Sequence, residues 1–125
     1  MEGYIKLHRQ ITKWEWYDDA NTFRLFIHLL LRANHADGNW RGSVIKRGQL
    51  FTSTGILSHE LSISDKAVRI AIEKLVRTKE IIHKGANNGA MITICNYDTY
   101  QSFDTEEGQA KGQTNGKQKG KRGAN

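Results

Sequence analysis

A chain of 125 residues, 38% hydrophobic and with a formal net charge of +6, holds enough apolar material for one core and leans toward a polyanionic partner. A disulfide-stapled fold is excluded because Cys95 stands alone, and no uncharged apolar run is long enough to span a membrane. Lys6, Arg9 and Lys13 interrupt the N-terminus, so no secretory leader is expected and the reading is a soluble cytoplasmic protein.

In chain order, the segment Tyr4 to Tyr17 carries Ile5, Leu7, Ile11, Trp14 and Trp16, an apolar set that needs covering. Between Asp18 and Asn34 the pattern predicts a long helix whose apolar residues Phe23, Leu25, Phe26, Ile27, Leu29, Leu30 and Leu31 wrap most of the way round. Such a helix has to be covered on nearly all sides. The Tyr4 to Tyr17 segment is expected to cover one of them, within the chain or across a dimer interface. Val44 to Phe51 reads as one short strand, alternating partly buried and polar residues.

Residues 53–84 read as two short amphipathic helices around a tight turn, followed by a strand. Leu57 and Leu61 share a face of the first helix, Ile63 falls in the turn, and Val68, Ala71, Ile72, Leu75 and Val76 recur at helical spacing in the second. Ser53 or Thr54 can cap the first helix and Ser64 the second, since a hydroxyl satisfies amides that have no partner in an opening turn. Glu80 to Lys84 and Met91 to Cys95 are β-rich runs around Gly85 to Ala90, whose Asn88-Gly89 pair suits a hairpin turn; Cys95 is expected to be a small buried strand residue. The order helix, strand, helix, helix, hairpin is that of a winged helix-turn-helix, an α+β fold with a three-helix core, a small antiparallel sheet and an extra N-terminal segment.

The apolar residues stop after Phe103. Residues 1–103 are therefore expected to form the folded domain, and residues 104–125, rich in Gly, Lys and Gln, a disordered tail or linker. The body keeps 14 Lys and Arg against 10 Asp and Glu, so the basic balance does not come from the tail alone. Within the tail, Lys117, Lys119, Lys121 and Arg122 offer weak, salt-sensitive phosphate contacts, without the aromatics of a stacking platform.

The phrase L-S-H-E-L-S-I-S-D-K-A-V-R-I-A-I-E-K-L at 57–75 resembles bacterial winged-helix DNA-binding domains in general. More specific are Y-I-K-L-H-R-Q-I-T-K-W-E-W-Y at 4–17, N-T-F-R-L-F-I-H-L-L-L-R-A-N-H at 21–35, I-K-R-G-Q-L at 45–50 and I-T-I-C-N-Y-D-T-Y-Q at 92–101. Together these resemble the N-terminal winged-helix domain of DnaD-related phage and prophage replication proteins, the replisome organisers and primosome components. The resemblance covers residues 4 to about 103. It implies a module that helps start replication in a bacterial host cell by binding origin DNA or holding a homo-oligomer, next to replication proteins such as a helicase loader. Two positions depart from the winged-helix pattern: Ser62 and Lys79 stand where glycine commonly closes a helix in a left-handed conformation.

If Val68, Ile72 and Leu75 face inward, the outward face of the second helix of the pair holds Lys66, Arg69, Ile70, Glu73, Lys74 and Arg77, four of them cationic. The bland alternative is a solvated face balanced by pairs such as Arg69 with Glu73. As a duplex-DNA surface, Ser64 would place its helix's first amides near phosphate, and Lys66 and Arg69 would enter the major groove, Arg because its fork matches guanine O6 and N7. Lys74, Arg77 and Lys84 would neutralise backbone charge, and Asn87 and Asn88 would reach DNA from the tip of the wing. Ile70 and Glu73 suit this poorly. Two other readings therefore stand beside it: an oligomerisation scaffold with little DNA contact, and a prophage transcriptional regulator.

Signatures of catalysis are weak. Gly38, Gly42 and Gly48 lack the G-K-[ST] ending of a phosphate-binding loop. His28 and His35, seven apart, and the pair His59 and Glu60 do not make a metal motif. Asp18-Asp19 is read as favourable charge at a helix start, not as a two-carboxylate cation site. No enzyme, no metal and no cofactor are expected.

Overall fold

A computed structural model describes residues 3–40 and 42–101. The architecture is α+β. After a 3-10 turn at Arg9–Lys13 come α1 (Ala20–Arg32), β1 (Gly38–Trp40), β2 (Ser43–Ile45), β3 (Gln49–Thr52), α2 (Thr54–Leu61), α3 (Asp65–Arg77), β4 (Ile81–Ala86), β5 (Gly89–Ile94) and α4 (Tyr97–Tyr100). β1 and β2 form a small antiparallel hairpin, and β3, β5 and β4 a three-stranded antiparallel sheet in that spatial order.

Helix starts follow local chemistry. Asp19 caps α1 by accepting from the Thr22 N–H, Ser53 caps α2 through Ile56 N–H, and Ser64 caps α3 through Ala67 N–H. One core joins the layers: Leu25 and Leu29 of α1, Leu57 and Leu61 of α2, Val68 and Leu75 of α3, and Ile81 and Ile92 of the sheet are almost wholly buried. Ile63 in the turn between α2 and α3 packs against this core.

The other side of α1 is covered from within the chain. Trp14 lies against Phe26 with ring centroids 4.9 Å apart, and its Nε1 donates to Glu80 at 3.1 Å. Trp16 Nε1 donates to Thr78 Oγ1 at the end of α3. Two indole N–H groups thus anchor the N-terminal segment to residues about sixty positions away, and the rings supply the apolar contact that α1 requires. Leu31 is an exception on α1 and stays 58% exposed.

Several expectations need correction. The strand expected over Val44 to Phe51 is two strands, β2 and β3, broken at Arg47-Gly48. Gly48 has φ +83°, its N–H donates to Asn34 O, and a Cβ there would lie 2.9 Å from Tyr97 Cβ. Val76, expected in the core, is 41% exposed, because the buried stripe of α3 is Val68, Ala71, Ile72 and Leu75. The hairpin turn is centred on Asn87-Asn88 and not on Asn88-Gly89: Ala86 pairs with Gly89, and of the two turn residues only Asn88 (φ +66°) is left-handed. Cys95 lies just past β5, half-buried, where its N–H donates to Glu80 O. The first helix ends at Arg32, short of His35. The tail expected over 104–125 lies outside the described residues.

Candidate nucleic-acid interface

α3 presents its cations because its opposite face is spent on the core. Lys66, Arg69 and Arg77 are exposed, and none of them is ion-paired among the described residues; the Arg69–Glu73 pair that would balance the face is not made. Ile70, 42% exposed, and Glu73 share this surface. Ser64, also exposed, holds the first turn of α3 through its bond to Ala67 N–H.

Helical geometry separates these side chains. At about 100° per residue, Lys66, Ile70, Glu73 and Arg77 crown the outward face, whereas Arg69 shares the flank of Ile72, on the side of the β4–β5 hairpin. That hairpin contributes Lys84 on β4 and Asn87 and Asn88 at its turn, all exposed. Arg69 therefore lies on the hairpin side of the ridge that carries Lys66 and Arg77.

Lys74 does not belong with them. It lies on the opposite flank, facing α1, where its Nζ donates to Asp19 Oδ2 at 2.5 Å and stands 5.5 Å from the centre of the Trp16 ring. The Lys74 ammonium holds the Asp19 carboxyl below the usual carboxylate range; partial burial opposes this and the Thr22 N–H assists it. A cation already satisfied by a carboxylate and a ring has little left for phosphate, so Lys74 ties α3 to α1.

A feature not anticipated from sequence lies beside this surface. Thr52, Thr54, Ile72 and His83 border a cavity of about 310 Å³ between the start of α2 and the inner face of the hairpin. The period-two alternation of β4, which places His83 on the same face as buried Ile81, would have pointed to it.

Several other titratable groups serve the fold. His28 Nε2 lies 2.8 Å from Glu60 Oε1, with Arg32 Nη2 3.6 Å from the second oxygen, linking α1 to α2. Arg47 donates from Nε to Asp98 and from Nη1 to His35 O and packs over the Tyr97 ring; burial pushes the Tyr97 and Tyr100 hydroxyls above their ordinary range. Among the described residues no three His, Cys, Asp or Glu side chains are grouped to hold a metal ion, and no helix is long and apolar enough to cross a membrane.

No protein-family model, no curated protein and no solved structure matches this chain.

Proposed function

We propose that the chain is a winged-helix module that binds duplex DNA, the N-terminal part of a phage-type replication initiator or replisome organiser. The observation that carries this reading is the set Lys66, Arg69 and Arg77 on α3, not ion-paired among the described residues, next to a hairpin bearing exposed Lys84, Asn87 and Asn88. An exposed basic helix flanked by a β-hairpin has the dimensions to seat in a major groove, with the hairpin reaching the adjoining backbone. In this reading Arg69 contributes base readout, Lys66, Arg77 and Lys84 neutralise phosphates, Ser64 orders the helix start, and Asn87 and Asn88 touch the backbone beside the groove. The initiator assignment rests on the resemblance of residues 4–103 to DnaD-related proteins, and a transcriptional regulator would use the same surface.

Titration of labelled duplex with the full chain at low and moderate salt tests the reading. Saturable binding is expected, with Arg69→Ala weakening a selected site by about 1–3 kcal/mol while Lys84→Ala weakens all duplexes alike. Absence of saturable binding at low salt would remove the proposal.

A second reading has its own observation. Ile70, on the outward face of α3, is 42% exposed, an apolar residue that suits a protein contact better than a phosphate backbone. If that surface builds a homodimer or higher oligomer, or receives a replication partner, Ile70→Lys should abolish the assembly seen by light scattering while preserving the fold.

A further inference from the structure

A groove of about 470 Å³ lies away from α3, between the N-terminal segment, α1 and α4. Its floor is apolar: Ile11, Trp14, Phe26, Leu30 and Tyr100, with the Phe26 and Tyr100 rings meeting edge to face at 6.2 Å. Its rim is basic, formed by Lys6, His8 and Lys13. The one carboxylate among the lining residues, Glu80, already accepts from Trp14 Nε1. An apolar floor under a cationic rim selects an occupant with a ring or aliphatic group followed by negative charge.

The chain carries such a segment at the place where it leaves the described residues. Gln101 is fastened beside the groove: its Oε1 accepts from Lys6 N–H at 2.7 Å, and its Nε2 donates to Lys6 O at 2.9 Å. Ser102-Phe103-Asp104-Thr105-Glu106-Glu107 follows, one aromatic side chain and three acidic residues with no cation between them. At about 3.3–3.6 Å per residue, Phe103 reaches roughly 7 Å from Gln101 and Glu107 roughly 20 Å, the distances needed to pass from floor to rim.

We propose that residues 102–107 dock in this groove, with the Phe103 ring on the cluster of Trp14, Phe26 and Tyr100 and the carboxylates directed to Lys13 and His8. So short a tether holds the segment at an effective concentration on the order of millimolar, which lets a weak intrinsic interaction fill the site. The docked segment covers aromatic surface, and any acidic, aromatic-bearing partner of this groove would have to displace it. None of these elements belongs to the outer face of α3, so the inference stands apart from the DNA-binding proposal.

Nuclear magnetic resonance on the isotope-labelled full chain in dilute solution tests it. Expected are nuclear Overhauser contacts from the Phe103 ring to the methyls of Ile11 and Leu30, and backbone order at 102–107 close to that of α4. Both should be lost in Phe103→Ala and in the triple variant Asp104→Lys, Glu106→Lys, Glu107→Lys, with the α3 resonances unmoved. Adding Lys13→Glu to the triple variant should restore part of the contacts. The proposal is overturned if wild type shows no such contacts, or if a mixture of labelled and unlabelled chains shows them to be between molecules, which would assign the groove to a second copy.

Discussion

Ser62 and Lys79 hold backbone conformations that side chains disfavour, with φ of +59° and +66°. Ser62 closes α2 and Lys79 follows α3, so each gives its helix a left-handed end without using glycine. Glycine at either position removes a Cβ–carbonyl clash and gives back part of the gain as unfolded-state entropy. Ser62→Gly and Lys79→Gly are each expected to stabilise by up to about 1 kcal/mol, read as a raised denaturant midpoint at unchanged slope. Gly89 is the opposite case. Its φ is +157°, and an added Cβ would sit 2.6 Å from the Thr52 carbonyl and 2.9 Å from the Phe51 ring, so β5 and β3 could not keep their spacing. Gly89→Ala should cost about 1–3 kcal/mol in the same assay, and a neutral result would show that the sheet yields there.

The joint between α1 and α3 makes a pH dependence. Asp19 both caps α1 and pairs with Lys74, and the pair lowers its folded pKa from the unfolded value of 3.8. A carboxylate with a depressed folded pKa contributes stability that is complete above the unfolded value and lost as pH falls through the folded one. Asp19→Asn keeps a capping oxygen but not the charge. The stability difference between wild type and Asp19→Asn should therefore be constant from neutral pH down to about 4 and shrink below it. A difference that persisted at pH 2 would assign the effect to packing. The same joint explains what sequence could and could not reveal about the elements. Helix existence, caps and the buried stripe were legible because they depend on neighbours three or four residues away, as at Ser53, Ser64 and Leu57–Leu61. The Lys74–Asp19 pair spans 55 positions, and the break between β2 and β3 depends on Asn34 and Tyr97 reaching Gly48 from elsewhere in the chain. Val76 was misplaced because a helical stripe read at its edge does not say where the neighbouring layer ends.

For the molecule as a whole, the question is how many of its cations are available to a polyanion, and their number in the sequence alone overstates it. The 19 Lys and Arg of the sequence include Arg47, bonded to Asp98, and Lys74, bonded to Asp19, so only part of the set is presented on one surface. On α3 and the hairpin the cations unpaired among the described residues are Lys66, Arg69, Arg77 and Lys84. Each phosphate neutralised steepens the dependence of log K on log salt by about 0.9, so in the proposed complex Lys66, Arg77 and Lys84 contribute a slope of about −3. Measured in the same full chain, so that cations at 111–122 cancel between variants, Lys84→Ala should reduce the slope by about one unit. Lys74→Ala should leave it unchanged while lowering stability by up to about 1 kcal/mol, because its charge is already neutralised within the fold. A slope loss for Lys74→Ala equal to that for Lys84→Ala would mean that DNA displaces Asp19, and the ridge would then extend across the joint to α1.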